Sequence, residues 1–489
     1  MSVVARIAAH PPRRLAVVGP GVSLTYGELA ERVERLAGVL VRRGVGPERV
    51  CAVAVDRGVD AVVGMAAVLR AGGAFLTLDV EQPPARLAQM VHSGRAEFLV
   101  TTSALGERLS LPVDGPVVCL DRLDDAVPAP PVPVDPRSLA YVTHTSGSTG
   151  TPNAVLIEHR GLAAYLRAAV RDCGLGPDTV TVQLAPLGYD ASIRDVFATL
   201  LAGGRLVTLP RATLMRPGEL GAAVREYRAN TILSVTPTFL GFLSRHGDGA
   251  GWLREMRLVA SSGESLRPFL ASGGRALVGG RLLNQYGPTE ATMTSTRYDV
   301  PADPDTGADL IGRPNAGVTV HLLDADLALV REGEVYLGGV GVARGYGGRP
   351  GVTAGRFLPD PFGPPGARLY RTGDLARWRP DGTLEYLGRI DRQLKIRGYR
   401  VDPAEIEGRL LTHPAVGGAV VTASTDDLGR TFLVAHVTGR LVDVGDAALR
   451  AHLARTLPHH MMPRRFVRLD RLPTTRTGKA DRAALAGAR

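Results

Sequence analysis

The first hundred residues alternate between amphipathic helical segments and short apolar runs, and this alternation constrains the fold more than any other feature. Four apolar residues recur at helical spacing between positions 29 and 40, and they predict a helix that ends before Gly44. Strand-like and helical segments then alternate over residues 50–55, 61–69, 85–91 and 97–101. A β–α–β alternation predicts parallel sheets covered by helices, and therefore an α/β fold.

A loop of glycines and hydroxyl side chains, residues 145–150, lies between apolar strands predicted at residues 139–142 and 155–157. Gly147 and Gly150 permit backbone angles that let successive N–H groups converge on one anion. The loop is not the common P-loop, because no Gly-Lys-Ser/Thr follows its glycines. A linker can have the same composition. Its position between two strands favours the alternative, a polyphosphate-binding loop.

Composition narrows the class of protein. The 489 residues, with 45% hydrophobic and 22% charged, predict two or more globular domains. No apolar run reaches membrane-spanning length, and the first residues lack an apolar signal core, so we expect a cytoplasmic protein. The net charge of +10 is spread along the chain without a basic, aromatic-rich run, which argues against nucleic acid or membrane as partner and leaves anionic substrates or partners. Three distant cysteines (Cys51, Cys119, Cys173) predict neither a metal site nor a disulfide.

Lysine is almost absent from this basic chain. Of 58 basic residues only Lys395 and Lys479 are lysine. Arginine evidently serves wherever a general positive charge is sufficient, so a retained lysine indicates a position that needs a compact, flexible ammonium. Both positions lie in the last hundred residues, and they are candidates for chemistry.

Three further motifs each have a functional and a structural interpretation. Asp190, between Tyr189 and Ala191, is either the N-cap of the following helix or a buried carboxylate that receives an ammonium group. Glu290, after a Gly-Pro turn, is either an ordinary turn residue or a ligand of nucleotide-bound Mg²⁺. Asp374, in a Thr-Gly-Asp sequence, is either part of a plain turn or an acceptor for the two hydroxyls of a ribose.

The chain changes character near residue 391. Residues 395–401 predict a hairpin, after which Asp402 caps a helix that has Pro403 at its first position. Two strands and a helix follow, and Lys479 lies on a glycine-containing turn suited to a mobile segment. We expect residues 391–489 to form a small α+β domain behind a core of residues 1–390.

Together these stretches resemble the adenylation domains of nonribosomal peptide synthetases, in the adenylate-forming (ANL) superfamily that also contains acyl-CoA ligases and luciferases. The resemblance runs from Leu24 to Lys479, with every motif in the family's order, and residues 349–357 and 360–362 are similar to the amino-acid-activating branch. It implies a large N-terminal domain of stacked α/β sheets with a small barrel-like subdomain, followed by a small mobile α+β C-terminal domain.

The resemblance also implies ATP and Mg²⁺, and it assigns roles by position. Lys479 would contact the substrate carboxylate and α-phosphate, Lys395 would enter the site after rotation of the small domain, and Asp391 would be the hinge. Thr149 and Glu290 would lie near the metal, with Glu290 as its ligand; Tyr286 would stack on adenine, and Asp374 would hold the ribose with Arg389 nearby. The implied nucleotide-binding residues are Thr145, Ser146, Gly147, Ser148, Thr149, Gly150, Tyr286, Gly287, Thr289, Asp374 and Arg389.

Asp190 matches the family aspartate that binds the substrate's amino group, which favours amino acids over fatty or aryl acids. The implied pocket positions are Asp190, Ala191, Arg194, Thr238, Ala260, Ser262, Gln285, Met293 and Thr294. Arg194 is unusual, because an uncompensated guanidinium in a pocket is costly. One hypothesis pairs it with an acidic substrate resembling aspartate or glutamate. The other pairs it with Asp195 or another protein acid and leaves a small substrate such as alanine or serine.

Two departures from the family pattern keep other functions open. Asn153-Ala154 replaces the usual Lys-Gly after the phosphate loop, and His144 replaces a common aromatic. The expected function is ATP-dependent formation of an aminoacyl-AMP and transfer to the phosphopantetheine thiol of a separate carrier protein, in nonribosomal peptide or hybrid natural-product biosynthesis. An acyl- or aryl-CoA ligase and a nucleotide-binding pseudo-enzyme are the alternatives, and a small activator protein is a further partner that the resemblance allows.

Overall fold

The computed structural model describes residues 2–123, 127–147, 152–390, 393–396, 398–426, 431–441, 444–473 and 481–486. The strands in these ranges are β1 Leu15–Gly19, β2 Val22–Thr25, β3 Val50–Ala54, β4 Ala74–Thr77, β5 Ala96–Thr101, β6 Val117–Cys119, β7 Leu139–Thr145, β8 Asn153–Glu158, β9 Val180–Val182, β10 Arg205–Val207, β11 Thr231–Val235, β12 Leu258–Ser262, β13 Arg281–Tyr286, β14 Thr296–Asp299, β15 Leu310–Pro314, β16 Val318–Leu323, β17 Glu332–Gly339, β18 Gly345–Tyr346, β19 Phe357–Pro359, β20 Arg368–Trp378, β21 Leu384–Arg389, β22 Leu394–Ile396, β23 Tyr399–Val401, β24 Val416–Thr425, β25 Thr431–Gly439 and β26 Arg465–Arg468.

Most of the α-helices connect these strands, as a β–α–β fold requires. They are α1 Val3–Ala8, α2 Tyr26–Arg42, α3 Val59–Arg70, α4 Pro84–Ser93, α5 Ser103–Leu109, α6 His159–Asp172, α7 Asp190–Leu201, α8 Arg211–Leu214, α9 Pro217–Glu226, α10 Pro237–Arg245, α11 Gly249–Glu255, α12 Arg267–Ala271, α13 Pro350–Arg356, α14 Pro403–Leu410, α15 Asp446–Ala454 and α16 Arg482–Ala486. The helix predicted to end before Gly44 is α2, and a capping box between Thr25 and Glu28 fixes its first turn. No helix in the described ranges combines the length and apolar character needed to cross a bilayer.

Two large sheets organise the first 390 residues. The smaller has the strand order β18-β8-β7-β4-β3-β5-β6, and its pairs among β3, β4, β5, β6 and β7 are parallel. The larger has the order β16-β17-β20-β21-β15-β14-β13-β12-β11-β9-β10-β1-β2, with β19 against β20. The parallel sheets expected from the β–α–β alternation are therefore confirmed. The phosphate-loop segment, in contrast, joins the antiparallel pair β7 and β8.

The largest apolar cluster joins the two sheets. It contains Val17 of β1 and Ala260 of β12 from the larger sheet, Tyr141 of β7 from the smaller sheet, and Phe197 of α7, each nearly or wholly removed from solvent. Helix α7 is therefore packed into the core shared by both sheets, which fixes the position of its first turn. The antiparallel strands β15, β16, β17, β20 and β21 of the larger sheet contribute to a separate apolar cluster around Val335 and Leu337.

The chain after residue 391 has its own apolar cluster. Side chains from Ile396 to Phe466 form it, around the three-stranded sheet β24-β25-β26 and helices α14 and α15. The predicted hairpin is present as the antiparallel pair β22 and β23, and Asp402 caps α14 by accepting a hydrogen bond from the Ala404 N–H. The mixed α/β class, with large N-terminal and small C-terminal parts, is thus confirmed.

Candidate active site

The carboxyl ends of parallel strands β11, β12 and β13 lie side by side at one edge of the larger sheet. The register pairs Ser262 of β12 with Gln285 of β13, and Val235 of β11 with Ser261. Open α/β sheets bind ligands at such edges. A cavity of about 1530 Å³ opens here, and it is also lined by the first turn of α7 and by residues of the C-terminal part.

Asp190 is the first residue of α7, and Tyr189 occupies the N-cap position without a side-chain capping bond. The Asp190 side chain lines the cavity, and its Oδ2 is buried with no hydrogen-bond partner among the described residues. Burial raises the pKa of Asp190, against the opposing hydrogen bond from the Thr289 hydroxyl. A buried carboxylate oxygen without a partner is costly unless a ligand supplies one, and an ammonium group meets this need.

Arg194 is 1% exposed and is held by neutral groups of the protein. Its Nη1 donates to Gln285 Oε1 at 2.6 Å and to Tyr165 Oη at 3.2 Å, while Nε and Nη2 donate to Ser234 Oγ at 3.1 and 2.8 Å. Ser234 in turn donates to Asp195 Oδ1. Arg194 thus reaches the Asp195 carboxylate through one hydroxyl group.

Most of the remaining predicted pocket residues surround this network. Ala191, Thr238, Ser262, Gln285, Met293 and Thr294 line the cavity together with Asp190 and Arg194. Thr294 Oγ1 contacts Tyr165 Oη at 3.0 Å, which ties it to Arg194. Ala260 differs, because it is fully buried in the apolar core of the two sheets.

The predicted nucleotide residues Tyr286, Asp374 and Arg389 form one hydrogen-bonded cluster. Asp374 is 3% exposed, and its Oδ2 accepts from Tyr286 Oη at 2.7 Å while Oδ1 accepts from Arg389 Nη1 at 2.7 Å. Tyr386 Oη also donates to Oδ1, at 3.3 Å. Gly287 follows Tyr286 and admits no side chain, because a Cβ there would meet the Ser295 amide nitrogen at 2.4 Å.

Glu290 is fully buried, and both oxygens of its carboxylate accept hydrogen bonds from other side chains of the protein. Arg400 Nη1 donates to its two oxygens at 3.2 and 3.1 Å, and Tyr346 Oη donates to Oε1 at 2.8 Å. No cluster of three metal-binding side chains occurs in the described part of the chain. Mg²⁺ is often held by one or two carboxylates together with substrate phosphates. Glu290 fits that mode once Arg400 withdraws.

The described start of the phosphate loop faces the cavity and the C-terminal part. Thr145 and Ser146 line the cavity; Thr145 Oγ1 is buried with no partner in the described ranges, and Ser146 Oγ donates to the Arg400 carbonyl at 2.8 Å. Gly147 is buried next to them. Asn153, in place of the family lysine, accepts a hydrogen bond from Arg349 Nη1 at 2.9 Å. A cation thus remains close to this end of the loop.

His144 lies at the same edge of the cavity, bonded to Ser93. The distance from its Nε2 to Ser93 Oγ is 2.9 Å. Burial lowers the pKa of His144 to about 3, with the Arg86 charge acting in the same direction. The imidazole is therefore neutral near pH 7, so it adds no charge to the site.

The hairpin β22–β23 brings Lys395 into the cavity. Its Nζ lies 5.0 Å from the Tyr386 ring centroid and 5.8 Å from that of Tyr286. Burial lowers the pKa of Lys395, against the attraction of Asp374. Lys395 thus lies beside the carboxylate predicted to bind the ribose.

Two further contacts hold this hairpin and helix α14 against the N-terminal part. Glu264 accepts from the Gly398 N–H at 2.6 Å and from the Thr238 N–H at 3.0 Å. Arg86 of α4 forms an ion pair with Glu405 of α14, in which the two side chains are 7% and 0% exposed. Gly398 has φ +82°, and a Cβ there would meet Thr236 Cγ2 at 2.1 Å.

The other predicted residues are Ser148, Thr149, Gly150, Asp391 and Lys479, which lie outside the described residues. Conversely, several residues that sequence reasoning did not assign contact the site: Tyr165, Ser234, Glu264, Tyr346, Tyr386, Arg400 and the Arg86–Glu405 pair. Ser234 could have been found from the sequence, because it lies near the end of an apolar, strand-like run that stops at Thr236 and Pro237. The remainder depend on pairings between distant elements.

Comparison with known proteins agrees with this geometry. A family model described as AMP-binding enzyme matches residues 4–347, and one described as AMP-binding enzyme C-terminal domain matches residues 405–479. The chain is 42% identical over 492 residues to phosphinothricin tripeptide synthetase PhsC of Streptomyces viridochromogenes, covering 98% of this chain and 44% of that protein. It therefore spans less than half the length of that relative.

Two solved structures have the same fold along nearly their whole length. NpsA-ThdA, an artificially fused adenylation–PCP di-domain from Klebsiella oxytoca, matches with a TM-score of 0.85 and 26% identity, over 96% of this chain and 93% of that one. The amide bond synthetase McbA from Marinactinospora thermotolerans matches with a TM-score of 0.86 and 26% identity, over 99% of both chains. The chain belongs to the AMP-binding enzyme family, and along nearly its whole length it is similar to adenylation domains of nonribosomal peptide synthetases.

Proposed function

We propose that this protein activates an amino acid with ATP as an aminoacyl-AMP and then transfers the aminoacyl group to the phosphopantetheine thiol of a separate carrier protein. The observation that carries the proposal is Asp190 Oδ2, buried and unpartnered among the described residues beside a cavity that also contains Asp374 and Lys395. The carboxylate supplies the receptor for an amino group. Fatty and aryl acids have no cation to compensate it.

In the first half-reaction the substrate carboxylate attacks the α-phosphorus of ATP, and the bond to pyrophosphate breaks. We assign the phosphates to residues 145–150, the adenine to Tyr286 and the ribose to Asp374 with Arg389. Asp374 supports this assignment because its oxygens are oriented by Tyr286 and Arg389. Lys479 would neutralise charge on the α-phosphate. When bound through Glu290, Mg²⁺ would supply further positive charge to the phosphates.

In the second half-reaction the carrier thiol, having lost its proton, attacks the acyl carbon, and the bond to AMP breaks. The described orientation supports a role for the Lys395 hairpin in this step, because Lys395 lines the cavity while Arg400 donates hydrogen bonds to the Glu290 carboxylate. We propose that residues 391–489 rotate about Asp391 between the two steps. Arg400 would then leave Glu290 open during the first.

The carrier protein is proposed to act in trans. A di-domain containing an adenylation and a PCP domain is among the structural relatives, and the net charge of +10 suits an acidic partner. An amine is the alternative acceptor, since McbA is an amide bond synthetase of the same fold. An activator protein remains a further proposed partner, to be tested by adding one to the same assay.

The experiment is to incubate the protein with ATP, Mg²⁺, a mixture of amino acids and a holo carrier domain, and to measure the intact carrier mass. We expect a mass gain equal to one amino acid less water, which disappears in Asp190→Asn. Arg167→Lys, at an exposed position of α6, is the matched control and should load normally. An unmodified carrier together with an amide product when amines are supplied would contradict the carrier assignment. ATP binding without any acyl product would support the pseudo-enzyme.

A further inference from the structure

The Arg194 guanidinium has no N–H left for a substrate. Nε and one N–H of Nη2 are taken by Ser234, and the two N–H groups of Nη1 by Gln285 and Tyr165. The last N–H of Nη2 faces Ser262 Oγ at 3.5 Å. Since a guanidinium has five N–H donors and no acceptor, this network uses all of them.

The buried charges of the pocket also balance without an acidic substrate. Arg194 and Asp195 are 1% and 0% exposed and are joined through Ser234, so the guanidinium already has its counter-charge. Arg57 also faces Asp195, but it has a second acid neighbour in Asp79 and donates to the Gln183 and Leu184 carbonyls. Asp190 is matched by the substrate's amino group. A side-chain carboxylate on the substrate would therefore remain buried without a cation, which is strongly unfavourable.

One hydrogen-bond donor that lines the pocket has no acceptor among the described residues. Because Arg194 can only donate, the Gln285 oxygen must face it, and the 2.6 Å contact to Oε1 fixes the orientation of the amide. Gln285 Nε2 is then buried with no partner among the described residues, on a residue that is 2% exposed and lines the cavity. A buried N–H without an acceptor is unfavourable, so an acceptor on the ligand is favoured.

We propose, building on the amino-acid-activating function above, that the substrate's side chain is uncharged and presents a hydrogen-bond acceptor to Gln285 Nε2. Arg194 is then a positioning residue that orients the Gln285 amide, and it is not a receptor for a substrate carboxylate. Asp190 binds the amino group at one side of the cavity, and Gln285 selects the side chain. The substrate class is a neutral amino acid whose side chain carries an amide carbonyl or hydroxyl oxygen.

The test compares near-isosteric amino acids in ATP–pyrophosphate exchange with the full-length protein. Leu, Asn and Asp form one set, Met, Gln and Glu a second, and Ala and Ser a third. In the set whose size fits the pocket, the neutral polar amino acid should exchange about 100-fold faster than the acid, whose carboxylate would be buried without a cation. It should exchange about 10-fold faster than the apolar amino acid, which leaves Gln285 Nε2 without an acceptor. A faster acid, or an equal apolar isostere, overturns the proposal.

Two variants separate the roles of the side chains. Gln285→Leu should remove the preference for the polar over the apolar isostere while leaving the KM for ATP unchanged. Arg194→Lys keeps the charge but cannot hold Gln285, Ser234 and Tyr165 together, so it should raise the KM for the amino acid more than it lowers kcat. Arg167→Lys, on the helix that carries Tyr165, is the matched control.

Asp195→Asn removes the counter-charge of Arg194 and should raise the acid-to-amide exchange ratio at least about 10-fold. If this variant does not fold, the isostere comparison on the unaltered protein still decides the proposal. Unchanged ratios in soluble Asp195→Asn and Gln285→Leu would overturn it. Absence of exchange with every amino acid would instead refute the proposed function, and this inference with it.

Discussion

At the residue scale, the proposed nucleotide end of the cavity depends on one carboxylate. Asp374 accepts from Tyr286 and Arg389 at 2.7 Å each, so its position is fixed before any ligand binds. Hydrogen bonds to a charged group contribute about 1.5–3 kcal/mol. Asp374→Asn should therefore raise the KM for ATP by about 10- to 100-fold. Steady-state kinetics with varied ATP will measure this, and an unchanged KM would contradict the ribose assignment.

The acid that balances Arg194 titrates within an accessible range. Burial raises the pKa of Asp195 to about 6, against the attraction of Arg194, and Arg57 is the other cation that faces it. The unfolded value for aspartate is about 3.9. Since the folded pKa is the higher one, Asp195 favours folding below about pH 4 and this contribution is lost as the pH rises through about 6.

Protonation of Asp195 leaves Arg194 without its counter-charge. We therefore expect acidic amino acids to be tolerated better, relative to their amides, as the pH falls from about 8 to about 5.5. Exchange assays with each acid–amide pair across this range will give the ratio. In Asp195→Asn the same ratio should be independent of pH. A ratio that stays constant in the unaltered protein would contradict the assigned role of Asp195.

At the element scale, helix α14 is fixed to α4 by a buried ion pair. Arg86 and Glu405 are 7% and 0% exposed, and removing one partner of such a pair costs about 3–5 kcal/mol because the other charge stays buried. Arg86→Met should thus destabilise the described orientation and slow carrier loading by at least about 100-fold, while amino-acid-dependent exchange continues. Loading and exchange are measured on the same preparation.

A double variant provides the control for this pair. Arg86→Met with Glu405→Gln leaves no unpaired charge, so loading should recover in part. Arg281→Met, which breaks the exposed pair between Arg281 and Asp299, should have little effect on either reaction. If Arg86→Met impaired exchange and loading equally, the ion pair would not be specific to one orientation.

Which contacts the sequence can predict depends on their separation along the chain. Asp190 was predictable because its motif, its loop-to-helix position and its neighbours are all local, and the structure does place it at the start of α7. The partners of Arg194 were not, since Tyr165 and Ser234 lie 29 and 40 residues away on other elements. Glu290 and Arg400, 110 residues apart, illustrate the same limit. Strand register and domain orientation decide such pairs.

At the scale of the whole molecule, the hydrophobic pattern was sufficient to predict the α/β class. It did not show how many strands the larger sheet contains. Its strands β15, β16, β17, β20 and β21 continue antiparallel from the parallel strands and come from sequence without a β–α–β pattern. The composition alone identified the two lysines as candidates for chemistry, because almost every other basic residue is arginine. Lys395 does lie in the cavity, and the role of Lys479 stays a prediction.

The net charge of +10 has a kinetic consequence if the partner is an acidic carrier. Salt screens the encounter of two charged proteins much more than it affects a small substrate in a cavity. Raising the ionic strength should therefore lower kcat/KM for the carrier by about 10-fold or more, with a much smaller change in exchange. Equal sensitivity of both reactions would show that charge does not steer the carrier.

Amino-acid-dependent ATP–pyrophosphate exchange tests the central claim most directly, because it reports the first half-reaction without any carrier. We predict exchange that requires an amino acid and is lost in Asp190→Asn, with ATP binding retained in that variant. Exchange supported equally by the corresponding acids without an amino group would contradict the role of Asp190. ATP binding with no exchange for any amino acid would contradict the assignment of this protein as an amino-acid-activating enzyme.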